Sequence, residues 1–231
     1  MVSFFCPPPF MLAGVGALVS DYIGTEFIAS SSSSFSFTGQ TLGQGATLFC
    51  AIDRYNSASS DSDHILGATI DSLPADHIGM NTAIGVNTSG SNNIRCSASW
   101  FVAGTAGGTG TINISTKGST RADIISWGLN HIPILTDANV DADGSASDVN
   151  NATTSIDTLN SLLFGLAIRT SGTNSPTVSG FAPDASNVAF GGGSSDANFW
   201  AGRNLEPTDP QTVSITSVNS NRHLVSAVAL R

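Results

Sequence analysis

Acidic and histidine side chains are densest in the stretch DSDHILGATIDSLPADHI, residues 61–78, where metal or acid–base chemistry would be sought first. It holds two Asp-His pairs, Asp63-His64 and Asp76-His77. Imidazole and carboxylate groups are ligands for zinc and other divalent metals, so the pairs could form a site at one end of a β-sheet protein. Acids in such a context also cap turns, and we interpret these in that way. We therefore predict no metal site here.

A second acidic pattern, NVDADG, is similar to the start of a calcium-binding loop. Asn139, Asp141 and Asp143 alternate, and Gly144 stands where the loop needs a sharp turn. The pattern then fails, because Asn150 occupies the position of the bidentate glutamate. The three alternating residues are kept as weak calcium candidates, and no cofactor is predicted.

Enzymatic nucleophiles are not indicated by any motif. The sequence has no GxSxG elbow and no phosphate-binding GxxxxGK[ST] loop. A pair of carboxylates such as Asp61 and Asp76 could in principle hydrolyse a polysaccharide, since glycosidic chemistry needs only two acids. Spacing singles out no such pair, so we predict a non-enzymatic protein with no catalytic residues.

Aromatic side chains are the remaining candidates for ligand contact. Trp100 and Trp127 alternate with apolar neighbours and are expected in the core. Trp200 lies among Gly, Ser and Asn residues, so it is the candidate for an exposed or interface ring that could stack on a sugar. A carbohydrate-binding module is therefore the alternative to a purely structural role.

Composition excludes some partners. The net charge is −9, and Lys and Arg together number only 8, so no basic surface is available for nucleic acid or for an anionic membrane. The cysteines Cys6, Cys50 and Cys96 show no CxxC spacing. We interpret Cys50 and Cys96 as buried small side chains, while a bridge between them stays open.

From Phe35 onward the hydrophobic period is that of β-strands. In RCSASWFVA the apolar residues alternate from Cys96 to Val102, and LNSLLFGLAIR is expected to be a central strand. The polar stretch 136–155 is expected to be a surface loop. Roughly a dozen strands joined by turns predict an all-β fold, an antiparallel two-sheet sandwich of jelly-roll type over 35–231, preceded by an extended arm and linker over 1–34.

The N-terminal segment SFFCPPPFMLAGVGALVSDYIG begins without a basic residue, which does not fit a secretory signal. Its apolar run is too short for a membrane helix, which needs about 20 residues. The prolines favour an extended chain. We expect an assembly arm whose large apolar side chains are buried against a partner surface: Phe4, Phe5, Phe10, Met11 and Leu12.

The sequence as a whole resembles a family of virion-associated structural proteins of tailed phages and prophages. The resemblance lies in SFFCPPPFMLAG, DYIGTEF, FSFTGQTLGQG, GGTGTINIST, STRADIISWGL and HLVSAVALR. It implies a jelly-roll-like sandwich on the virion surface, as a head decoration or cement protein or as a part of the tail fibre or tail tip. DRYNSASSDSDH is more acidic than the family pattern, so the resemblance implies no role for that stretch.

The expected function is therefore that of a virion structural protein, assembled in the cytoplasm of a bacterial host. Its expected partners are other virion proteins and further copies of itself, with a homotrimer favoured. A host surface glycan is the alternative partner, through Trp200. Neither nucleic acid nor a membrane span is expected.

Overall fold

The computed structural model describes residues 17–56, 64–79, 82–87, 93–119, 121–143, 149–170, 176–189, 197–218 and 223–231. Within these ranges the regular structure consists of strands that pair antiparallel. The first group is β1 (Ser20–Ile28), β2 (Ser32–Thr41), β3 (Ala46–Asn56), β4 (Ile65–Ile70), β5 (Leu73–Pro74), β6 (Asp76–His77), β7 (Thr82–Asn87), β8 (Asn93–Gly104), β9 (Thr109–Ser119) and β10 (Arg121–Leu129). The second group is β11 (Leu135–Asp143), β12 (Val149–Ile156), β13 (Leu162–Thr170), β14 (Thr177–Ser179), β15 (Ala182–Ala189), β16 (Ala197–Asn204), β17 (Gln211–Val218) and β18 (His223–Leu230).

These strands form four sheets. Sheet 1 has the order β2-β9-β4-β5, and sheet 2 has the order β1-β10-β3-β8-β6, with β7 also pairing with β8. Sheet 3 has the order β11-β18-β13-β16-β15, and sheet 4 has the order β12-β17-β14. Strands β1–β10 thus build the first pair of sheets and β11–β18 the second pair, so each half of the chain forms its own two layers.

The sheets stack in numerical order, with a hydrophobic core in each of the three gaps. Strand β3 shows why. Leu48 and Cys50 face sheet 3, whereas Phe49 and Ala51, one residue out of phase, face sheet 1. Because side chains alternate across a strand, a strand in an inner sheet must be apolar on both faces. This explains the nearly continuous burial of β10 and the full burial of β18.

The predicted all-β fold with antiparallel sheets is confirmed, and the strands that the structure describes form four sheets where two were expected. The expected loop at 136–155 is wrong, because β11 and β12 occupy most of it. The predicted arm and linker also extends too far, since β1 and the first residues of β2 lie before residue 35. The sequence pattern does not reveal these strands, because hydrophobic alternation is weak on an outer or edge strand.

The buried tryptophans and cysteines are where the pattern predicted them. Trp100 and Trp127 stack with ring centroids 5.8 Å apart in the core between sheets 2 and 3. Cys50 and Cys96 are both buried, and no disulfide joins them. Where β3 pairs with β8, Cys50 lies opposite Trp100, and Cys96 lies opposite Arg54. The two cysteines are therefore offset by four residues along the strands, a distance of about 13 Å at roughly 3.3 Å per residue. That distance excludes a bridge between them.

Polar contacts join the two halves through this central core. The Trp100 Nε1–H donates to Ser226 Oγ at 2.9 Å, and the Trp127 Nε1–H donates to Asp184 Oδ2 at 2.8 Å. Arg203 holds the same carboxylate in a two-pronged ion pair, with N–O distances of 2.9 and 3.0 Å, and also donates to the Ser20 carbonyl. The start of β1 is thereby tied to the second half of the chain.

No helix that could cross a membrane occurs among the described residues.

Candidate functional site: an apolar groove beside the N-terminal segment

A groove of about 600 Å³ lies where the two halves meet, at the end of the stack where β18 ends and β13 begins. It is built from separate stretches of the chain rather than from one motif. Its lining residues are Ala17, Leu18, His131, Ile132, Ile134, Thr158, Asn160, Ser161, Leu162, Leu205, Glu206, Pro207, Leu230 and Arg231. The lining combines apolar side chains with the charged and hydroxyl groups of residues such as Thr158, Glu206 and Arg231.

The walls of the groove carry large apolar side chains that are mostly exposed. Ile132, Ile134 and Leu205 are 62, 61 and 56% exposed. Leu159, which lies in sequence between the lining residues Thr158 and Asn160, is 66% exposed. Covering the exposed part of each would contribute about 1 kcal/mol or more, since full burial of such a side chain is worth roughly 1.5–3 kcal/mol. A cluster of this kind on a soluble surface marks an interaction site.

Asn130 fixes the chain where it joins the groove. Its backbone N–H donates to the Val19 carbonyl at 3.2 Å, and its side-chain Oδ1 accepts from the Val19 N–H at 2.9 Å. The Asn130 Nδ2 group donates to the Ala17 carbonyl at 3.1 Å. Three hydrogen bonds therefore hold residues 17–19 against the loop after β10, where Ala17 and Leu18 line the groove.

The opposite wall is held by hydrogen bonds of its own. Ile134 and Arg231 exchange backbone bonds of 2.7 and 3.0 Å, which extend the pairing of β11 with β18. The Thr158 N–H donates to Asp209 Oδ1 at 2.9 Å, which ties the turn before β13 to the loop before β17. The exposed side chain of Ile134 thus stands on a backbone that is hydrogen-bonded to the end of β18.

A buried polar cluster between sheets 1 and 2 is the chemically densest group that the structure describes. The Asp53 carboxylate accepts hydrogen bonds from His64 Nδ1, Ser97 Oγ and Ser119 Oγ. The His64 ring stacks on Tyr55 with centroids 3.5 Å apart. Asp53 is fully buried and His64 nearly so. Because side chains alternate along β3, the Asp53 carboxylate points into the mostly apolar core between sheets 1 and 2. A buried carboxylate oxygen there needs a hydrogen-bond donor.

The Asp53 cluster does not have the geometry of a catalytic triad. In a triad the carboxylate binds one imidazole nitrogen and the nucleophile binds the other. Here Ser119 Oγ lies 3.5 Å from Nδ1, the nitrogen already held by Asp53. The arrangement therefore satisfies buried polar groups and offers no activated hydroxyl.

The described members of the two Asp-His pairs, His64, Asp76 and His77, lie in different surroundings. Asp61 and Asp63 lie outside the described residues. His64 bonds Asp53 beside sheet 1, while Asp76 and His77 are exposed on β6 of sheet 2. Among the residues that the structure describes, no three His, Cys, Asp or Glu side chains are placed to share a metal ion.

The calcium candidates lie on a strand, and the alternation that suggested a loop is the two-residue period of β11. The Asn139 side chain donates to the Ser155 carbonyl at 2.9 Å, and Asp141 Oδ2 accepts from the Thr153 N–H at 2.8 Å. Asp137 Oδ2 accepts from the Asp157 N–H at 2.8 Å in the same row. The row covers the free edge of β12 with side chains. The side chain of Asp143 is not among those described.

Trp200 is not the exposed ring that the sequence predicted. Only 7% of it is exposed, and it packs with Phe181 and Val225 in the core between sheets 3 and 4. The Arg169 guanidinium lies 5.7 Å from the ring centroid. Burial lowers the pKa of this arginine. A ring so enclosed offers no free face for a sugar, and Phe199 beside it is fully buried.

The predicted assembly residues Phe4, Phe5, Phe10, Met11 and Leu12 lie outside the described residues. The groove itself was missed by sequence reasoning. One signal was present in HIPIL, where Pro133 separates two isoleucines and cannot donate to a sheet, so apolar side chains sit on a non-strand backbone.

Comparison with known proteins assigns no family. No protein-family model matches the sequence, and no curated protein is similar to it.

Proposed function

We propose that the protein is a non-enzymatic structural component of a tailed-phage virion, located on the particle surface as a head decoration or as a part of the tail fibre or tail tip. In this proposal it assembles as a homo-oligomer, with a trimer favoured, through its apolar N-terminal segment. One observation carries the proposal: a groove with exposed apolar walls lies where an apolar, uncharged segment joins the sheets.

The rest of the molecule is consistent with a structural role. Four stacked sheets with three cores make a rigid body, which suits a component that must bear load in a particle. Charged residues are only 11% of the chain, so its outer surface is rich in neutral hydrogen-bonding groups. The virion assignment itself rests on the sequence resemblance described above.

The oligomer is tested by sedimentation equilibrium of the full-length chain. A mass that is a multiple of the 23.6 kDa protomer, three-fold for a trimer, is the expected result. A single protomer mass at every concentration up to the solubility limit would refute assembly through this segment.

The virion assignment is tested separately. Purified particles of a phage that encodes this chain are digested and analysed by mass spectrometry, and antibody-gold labelling locates the protein on the particle. Peptides in stoichiometric amount and label on the head or tail are expected. Detection only in lysate fractions that lack particles would overturn the assignment.

A further inference from the structure

The groove has exposed apolar walls, and the chain that precedes its first lining residue is apolar as well. Ile132, Ile134 and Leu205 line the groove and are each more than half exposed. Residues 1–16 contain no charged side chain. Contact between this segment and the groove would remove apolar surface of both from water, which is favourable in proportion to the area covered.

The described end of the apolar run is already bound at the groove. The run covers residues 10–19. Ala17 and Leu18 line the groove, and Leu18 also packs against the core between sheets 2 and 3. Hydrogen bonds with Asn130 hold this stretch in place. Gly16 is therefore bonded directly to a residue of the groove lining.

We propose that residues 10–16 fold back onto the groove of their own chain, with Phe10, Met11 and Leu12 packed against its apolar walls. The occupant of the groove is thus the segment that is joined to it through Ala17. The inference goes beyond the proposed function, because it concerns the single chain and holds whether or not the chain forms an oligomer.

Reach is sufficient for docking within one chain. Leu12 precedes Ala17 by five residues and Phe10 precedes it by seven, so an extended chain carries them at most about 17–25 Å from Ala17. The groove, which Ala17 itself lines, lies within that distance. Gly14 and Gly16 have no Cβ atom, which lets the chain reverse direction within these few residues.

The short tether favours the chain's own segment over that of another copy. A short flexible tether gives the segment an effective concentration in the millimolar range. A second copy supplies the same segment only at the concentration of the protein, so at about 1 µM the chain's own segment is favoured roughly a thousandfold. Docking within one chain is also independent of protein concentration, which the first test uses.

The first test captures the contact as a disulfide. In a Cys6→Ser background, Met11→Cys is combined with Leu205→Cys and the protein is oxidised at several concentrations. Cys50 and Cys96 do not interfere because they are buried. Peptide mapping should show a disulfide between positions 11 and 205 within a single chain, with a yield that does not change on dilution.

The matched control for the disulfide combines Met11→Cys with Leu66→Cys. Leu66 is 60% exposed on sheet 1 and does not line the groove. The yield of its intrachain disulfide should be at least tenfold lower. An equal yield at the two positions would show that the segment has no preference for the groove.

The second test measures how far the groove protects the segment. Chymotrypsin cleaves after large apolar side chains, and mass spectrometry reports cleavage after positions 10, 11 and 12. Leu205→Asp and Ile134→Asp each place a charge on a groove wall, and cleavage there should be at least tenfold faster than in the wild type. Both side chains are more than half exposed, so folding should be retained, and circular dichroism verifies it. Leu66→Asp should leave the rate unchanged.

The outcomes separate this inference from the proposed function. A groove-specific disulfide within one chain, together with faster cleavage in both groove variants, supports docking in the same copy whether sedimentation shows an oligomer or a monomer. A disulfide that joins two chains and disappears on dilution overturns it, and so does a cleavage rate that the groove variants leave unchanged. Neither of these two results touches the oligomer, which the sedimentation mass decides by itself.

Discussion

Placing a methyl group on Gly165 tests the close packing of sheets 3 and 4. Gly165 lies in β13, between Gly202 of β16 and Ala227 of β18. A Cβ atom there would lie 2.3 Å from Cδ1 and 2.7 Å from Cε1 of Phe181, whose ring fills the space over the glycine. Carbon atoms pack at about 3.5–4.0 Å, so the ring must retreat by about 1 Å or swing out of the core.

Both responses of the ring destabilise the protein by a similar amount. Overpacking a core costs about 1–3 kcal/mol, and exposing a phenylalanine that is now 7% exposed forfeits roughly 1.5–3 kcal/mol. We expect Gly165→Ala to lower the free energy of unfolding by about 2 kcal/mol. In a chain of this size that lowers Tm by about 4–8 °C.

Urea unfolding and calorimetry of Gly165→Ala are compared with Gly67→Ala, because a Cβ at Gly67 meets nothing within 4 Å. The control should be neutral or gain about 0.5–1 kcal/mol, since alanine loses less entropy than glycine on folding. Phe181→Leu should relieve the clash, so the double variant should be less destabilised than the sum of the single variants. Wild-type stability for Gly165→Ala, or additivity within about 0.5 kcal/mol, would refute the packing argument.

Three further predictions concern the buried polar cluster, the thiols and the edge of β12. Asp53→Ala should lower the free energy of unfolding, measured in urea, by about 3–5 kcal/mol, because it leaves three buried donors without their acceptor. Asp76→Ala, at an exposed position, is the control and should change it by less than about 0.5 kcal/mol. Equal effects of the two substitutions would contradict a stabilising role of the Asp53 cluster. Burial raises the pKa of the Cys50 thiol, so this thiol stays protonated as the pH rises. Neither Cys50 nor Cys96 should react with a thiol reagent at about pH 8.5 until the protein is unfolded. Rapid labelling of either cysteine in the folded protein would show that the central core is open to the reagent. Asp141→Ala should lower the free energy of unfolding by about 1 kcal/mol, because its hydrogen bond to the backbone of β12 is lost. EDTA should leave the Tm of the wild-type protein unchanged. A lower Tm in EDTA would indicate that the wild-type protein binds calcium.

Local pattern was sufficient for much of the fold. Period-two alternation located β8, and the apolar neighbours of Trp100 and Trp127 placed both rings in the core. Phe164, Gly165, Ile168 and the flanking turns indicated a central strand in LNSLLFGLAIR, and this strand is β13. Strands of the inner sheets are easy to recognise in the sequence because both of their faces are covered, which makes them rich in apolar residues.

Pattern failed where a strand takes its stability from distant polar partners. The Asn and Asp residues of β11 alternate like calcium ligands, but they bond the backbone of β12. Trp200 lies in a polar sequence and is buried because sheet 4 covers it. Neither outcome is encoded within the few residues around each side chain.

The sequence by itself therefore determined the all-β fold class with antiparallel strands and the apolar composition of the N-terminal segment. It also determined the burial of Trp100, Trp127, Cys50 and Cys96. Only the tertiary structure decided that there are four sheets, that Asp53 meets His64, and that Ile132 and Leu205 share one groove. The physical reason is separation along the chain. Alternation reports which face of a strand is buried, whereas contacts between residues far apart depend on how whole sheets stack.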